Sequence, residues 1–128
     1  ALTNTDTHKM MTACRAAAQA KKLNVAIAIV DDGGVLLQFE RLDGAGHITV
    51  EGSMAKARAS AALKAPSKVA ADLLKQHQGI LLLPKILPIQ GAVPVMYQGE
   101  CVGAIGVSGA ASAQDDEDIA AAGAATIA

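Results

Sequence analysis

Aromatic side chains are nearly missing from this 128-residue chain: Phe39 and Tyr97 stand alone, and there is no tryptophan. Nucleic-acid bases would have almost nothing to stack on. Eleven basic against twelve acidic residues leave a net charge of −1, which supplies no field for a phosphate backbone. Nucleic acid is therefore excluded as a partner. Cysteine is scarce too. Cys14 and Cys101 fit no metal-ligand or redox spacing and read as two buried small hydrophobes. A long unbroken apolar run is also lacking. The most apolar region, 79–97, carries Lys85 and is interrupted by Pro84, Pro88 and Pro94, which rules out a membrane span. The chain shows no charged start followed by an apolar stretch and a cleavage site. These absences predict a cytoplasmic protein with neither nucleic acid nor membrane as a partner.

What is present is small and aliphatic. The apolar share is 52%, much of it alanine, which suits close packing of helices on a sheet. The length predicts one domain spanning 1–128 with a single core. Thr5 or Asp6 is placed to cap a first helix to about Lys22, with Met10, Met11, Cys14, Ala17 and Ala18 on its apolar face. Val25–Val30 and Val35–Glu40 flank Asp31-Asp32-Gly33-Gly34, the signature of a β-hairpin. Helical spacing returns over Ile48–Leu63 and, after Pro66, over Ser67–Gln76. The proline-broken stretch Ile80–Ile89 reads as irregular or edge structure. Val93–Tyr97 and Cys101–Val107 form a second hairpin around Gln98-Gly99-Glu100, and a last helix covers about Asp115–Ile127. Two hairpins with several helices mean an α+β fold built on an antiparallel sheet.

The candidate chemistry gathers at Gly99–Glu117, a glycine-studded strand that runs into a helix opening with Asp115-Asp116-Glu117-Asp118. Glycine within a strand marks a bend or a close approach of another backbone or a ligand, and carboxylates suit a helix start. Gly103-Ala-Ile-Gly-Val-Ser-Gly109 has the wrong spacing for a dinucleotide loop and no Walker lysine. Ser108 fails the nucleophile-elbow pattern, since Ala110 stands where that pattern needs glycine. The three histidines, His8, His47 and His77, are too dispersed for a zinc motif. His47 follows a Gly-rich loop holding Arg41 and Asp43, which makes it a candidate proton carrier or haem ligand. Lys56 falls off the apolar stripe of its helix. It reads either as a solvent-facing charge or as a lysine reaching across toward the acids of the last helix. One of those acids is a candidate general base.

Several pieces in this order resemble the GlcG/HbpS-like family: Ile29-Val-Asp-Asp-Gly-Gly34, Arg41-Leu-Asp-Gly-Ala45, Lys56-Ala57, Gly91-Ala-Val-Pro-Val95, Gly99 to Gly109, Asp116-Glu117 and Ala122-Gly123. The resemblance covers nearly the whole chain. It implies a profilin-like α–β–α layered domain with an antiparallel sheet of about five strands, assembled into homo-oligomers. It also implies a pocket made by Arg41, Asp43, Lys56, Ser108, Gly109, Asp116 and Glu117. Members of that family include haem binders and proteins encoded beside catabolic enzymes. Segment 64–90 lacks the Phe/Tyr-rich character suited to a haem face, which favours a small polar ligand.

The expectation is a small-ligand-binding protein taking haem or a small oxygenated metabolite between the Arg41–His47 loop and the Ser108–Glu117 turn. In that reading Arg41 and Lys56 hold a carboxylate or propionate, and His47 is the axial ligand if haem binds. One alternative is an enzyme acting on a small oxo- or hydroxy-acid, with Glu117, Asp116 or His47 as acid/base. Another is a structural accessory subunit. The ligand-pocket reading depends on Arg41, His47 or Lys56 facing the acids at 115–117.

Overall fold

A computed structural model describes residues 1–127. The elements in chain order are α1 (Asn4–Ala20), β1 (Ala26–Asp31), β2 (Leu36–Arg41), α2 (Ile48–Leu63), α3 (Ser67–Leu74), a 3-10 turn (Gln78–Leu82), β3 (Ala92–Tyr97), β4 (Glu100–Ser108) and α4 (Ala113–Ala124). The strands lie in the order β2-β1-β4-β3, every neighbouring pair antiparallel. The expected α+β architecture is observed. The sheet has four strands among the described residues, however, where the family resemblance implied about five. The apolar stretch 80–89 resolves as the irregular option. Pro84 and Pro88 remove ladder donors there, and the chain forms a 3-10 turn followed by coil.

Turn chemistry sets both hairpins. Gln98 and Gly99 have φ of 50° and 81°, the left-handed pair that a two-residue turn between twisted strands needs. In the other hairpin, Asp31 Oδ1 accepts from the amides of Gly33 and Val35, each at 2.9 Å, folding the turn on its own side chain. The first helix starts earlier than the expected cap at Thr5 or Asp6: its cap is Thr3, whose hydroxyl accepts from the Asp6 amide while the Asp6 carboxylate accepts from the Thr3 amide. Asp6 thus completes a capping box rather than capping alone.

Helices cover both faces of the sheet. On one face α1 and α4 bury Met10, Met11, Cys14 and Ile119 against Val25, Ile27, Ile29 and Ile105. On the other, α2 lays Ala57 and Ala61 on Ala28, Val30 and Ala104. The alternation along β1 is the period of two expected of a strand, and its residues Ala26–Val30 are all buried because both faces are covered. Alanine on α2 and glycine on β4 let these layers approach closely. A Cβ on Gly106 would overlap the backbone of Ser53 and Ala57 on α2, which accounts for part of the glycine content of β4 by packing alone.

Candidate functional site

The end of the sheet holding the start of β1 and the ends of β2 and β4 collects most of the predicted residues. Lys56 projects from α2 past the edge of β4. Its ammonium donates to Asp116 Oδ2 at 3.0 Å and to the Val107 carbonyl at 3.1 Å. The other Asp116 oxygen accepts from the Ala110 amide at 2.9 Å. Lys56 is 5% and Asp116 5% exposed. The solvent-facing reading of Lys56 is therefore wrong, and the reading in which it reaches the acids of the last helix is correct. Packing overrides the helical stripe here because the long stem crosses the sheet end while the charge finds partners there. The pair joins the α2 layer to the α4 layer and pins the turn after β4. Glycine at position 91 fits this arrangement: a Cβ there would lie 2.9 Å from both Lys56 Nζ and the Val107 carbonyl, at a φ of 140°.

The Arg41–His47 loop and the Ser108–Gly109 turn meet over Asn24. A Cβ on Gly44 would come within 2.9 Å of the Asn24 amide nitrogen, and one on Gly109 within 3.0 Å of the Asn24 carbonyl and of Thr49 Cγ2. Ser108, half-buried, packs its hydroxyl against α2, where a Cβ on Gly52 would stand 2.8 Å away. Arg41 bends back on its own loop, donating from Nε and Nη2 to the Ala45 carbonyl at 2.9 and 2.6 Å. Arg41 and Asp43 then line an open cleft of about 470 Å³ together with Arg15, Lys22, Asn24 and Glu40. Arg15 grips Glu40 through two parallel bonds of 2.8 and 2.6 Å, which hold its guanidinium pKa above the usual value.

The predicted residues thus divide. Lys56 and Asp116 form a closed internal pair, while Arg41 and Asp43 face a separate charged cleft at the same end of the sheet. Asp116 has both oxygens engaged and is not free to act as a base without breaking the pair. Glu117 is half-buried and accepts from Gln114 at 3.3 Å. His47 is exposed at the start of α2, makes no side-chain capping bond, and has exposed Ile48 beside it. Arg15, Lys22 and Asn24 were not singled out from sequence. Arg15 lies beside the apolar stripe of α1 like any solvated flank residue, and only its pairing with Glu40 distinguishes it. Among the described residues no three His, Cys, Asp or Glu side chains gather as a metal centre, and no helix is long and apolar enough to cross a membrane.

Comparison with known proteins agrees with this architecture. The family described as haem degrading protein HbpS-like matches residues 2–125. Protein GlcG of Escherichia coli K12 is 34% identical over 92 residues, which are 71% of this chain and 69% of GlcG. A double mutant of Streptomyces reticuli HbpS superposes with a TM-score of 0.95 at 35% identity, covering 99% of this chain and 87% of HbpS. The crystallised PduOC:heme complex superposes with a TM-score of 0.90 at 26% identity, covering 99% of this chain and 95% of PduOC. By the extent of the sequence match and the shared layered fold, this chain belongs to the HbpS-like family.

Proposed function

We propose that this chain is a small-ligand-binding protein, working as a cytoplasmic homo-oligomer, whose site lies at the sheet end where the Arg41–His47 loop meets the Ser108 turn. The observation that carries this reading is the cleft lined by Arg15, Lys22 and Arg41 with Glu40 and Asp43. Both arginines have their Nε and Nη2 donors fixed by Glu40 or by the Ala45 carbonyl. Their forks are held in place before a ligand arrives, and Nη1 remains to receive an oxyanion. That chemistry fits a small carboxylate such as a hydroxy- or oxo-acid. Lys56 and Asp116 stand outside this cleft and hold the turn after β4 at the same end of the sheet.

Haem is the second reading, favoured by the heme complex of the similar protein PduOC. The cationic cleft suits a propionate, and His47 offers an exposed imidazole for an axial bond. The macrocycle also needs apolar faces, and at His47 the exposed apolar neighbour is Ile48. Within one chain the residues present fit the acid better than the ring. Two titrations separate the readings. Calorimetry with glycolate and with pyruvate should show saturable binding that Arg41→Ala abolishes. Haemin should give a Soret shift that His47→Ala weakens if the porphyrin is the ligand. No response in either titration would overturn the binding function.

A further inference from the structure

Arg41 and Asp43 carry opposite charges on one tight turn, yet they do not pair. Leu42-Asp43-Gly44-Ala45 is closed by the Ala45 amide, which donates to the Leu42 carbonyl at 3.1 Å, with Gly44 at a φ of 87°. A left-handed residue in the third place of such a turn is the type II pattern. The Leu42 amide donates to the Val25 carbonyl at 2.9 Å, which ties the turn to the residue before β1. Arg41 completes the unit by giving Nε and Nη2 to the Ala45 carbonyl rather than to a carboxylate. Among the described residues Asp43 enters no ion pair, and neither does Lys22, which lines the same cleft.

These bonds fix the balance of charge in the cleft. Of its five charged side chains, Arg15 and Glu40 satisfy each other through two hydrogen bonds. Lys22, Arg41 and Asp43 are left, two cations and one anion. The cations match a carboxylate. An ionised aspartate only accepts hydrogen bonds, so it attracts a donor and repels a second acceptor. We propose that Asp43 sets the specificity of the cleft. It selects small acids with a hydrogen-bond donor on the carbon next to the carboxylate, an α-hydroxyl or an α-ammonium, over α-oxo acids. This inference rests on the cleft being the ligand site and narrows the ligand class there. Arg41 or Lys22 receives the carboxylate, and the α-substituent turns to Asp43. An α-oxo oxygen in that place sets lone pairs against a negative oxygen and has no proton to offer.

The test is calorimetry of the intact protein with lactate, alanine, pyruvate and propionate, which share a three-carbon skeleton and differ at the α-carbon. Lactate or alanine should bind about tenfold or more tighter than pyruvate, the worth of a hydrogen bond to a charged group. The better of the two identifies the donor as hydroxyl or ammonium. Asp43→Asn should erase the preference, because an amide both donates and accepts. It should also tighten pyruvate and propionate, since a like charge is removed from the cleft. Its melting temperature should match the parent's, because Asp43 is exposed. Equal or tighter binding of pyruvate by the parent protein overturns the proposal and leaves the cleft standing as the ligand site. A preference that survives in Asp43→Asn does the same. No binding of any of these acids overturns both.

Discussion

Lys56 Nζ and Asp116 Oδ2 stand 3.0 Å apart with both side chains buried, bridging sixty residues of sequence and two layers of the fold. Removing one member strands the other charge in the interior, which costs about 3–5 kcal/mol. Lys56→Met and Asp116→Ala should each show that loss in urea unfolding. The double variant Lys56→Met/Asp116→Leu should recover much of it, because a buried pair gives little net stability over apolar residues.

Glycine substitutions should separate packing from mere turn preference. Gly106→Ala drives a methyl into the backbone of Ser53 and Ala57. It is expected to abolish folding or cost more than about 3 kcal/mol, since rigid backbone must move. Gly46→Ala is the control. Nothing lies within 4 Å of a Cβ there, and the backbone is not left-handed, so stability should hold or rise by up to about 1 kcal/mol. Thermal melts of the two variants decide it.

Arg41→Gln should weaken a small carboxylate at least tenfold in calorimetry, because the Nη1 donor of one of the two fixed guanidiniums is lost. Melting temperature should stay nearly unchanged, since the Arg41 side chain touches only its own loop carbonyl at Ala45. A variant that melts early instead would make Arg41 a structural clip rather than a ligand contact.

Acid stability has a specific source. Hydrogen bonds from Lys21 and then Ser112 hold the Asp115 carboxyl below its ordinary 3.8, and those from Thr3 do the same for Asp6. Each folded-state value is depressed, so the stabilisation is complete above the unfolded value near 3.8 and is lost as pH falls through the folded one. Lys21 has the opposite sign. Asp115 raises it above 10.5, and its contribution fades as the solution becomes more alkaline than that. Asp115→Asn should flatten the acid limb of a stability–pH curve below about pH 4, and an unchanged limb would remove Asp115 as its cause.

The two cysteines should react very differently. Burial pushes the Cys14 thiol up to about 12, with Gly123 packed directly on its sulfur. Cys101 is partly exposed, so the expectation of two buried hydrophobes holds for Cys14 alone. Iodoacetamide on the native protein at pH 8 should therefore label Cys101 and leave Cys14 untouched until the chain is unfolded, as peptide mass spectrometry would show.

Local rules made much of this fold legible. Gly34 and Gly99 supply the left-handed backbone their hairpins need, Asp31 folds the first turn on its side chain, and the spacing of Met10, Met11 and Cys14 predicts the buried face of α1. Helical spacing failed at Lys56 because the decisive partners, Asp116 and the Val107 carbonyl, lie fifty or more residues away. The cleft was legible in part: Arg41 and Asp43 carry a loop signal, but Arg15, Lys22 and Asn24 join them only through the packing of α1 on the sheet end.

The sequence by itself therefore determined the turns, the α+β class and the acids at the start of the last helix, because each depends on residues that are neighbours along the chain. Tertiary structure alone decided that Asp116 closes on Lys56 while Arg41 faces a different cleft. Side chains from α1, α2, β2 and α4 converge at one end of the sheet, and which charges meet there depends on how the layers stack.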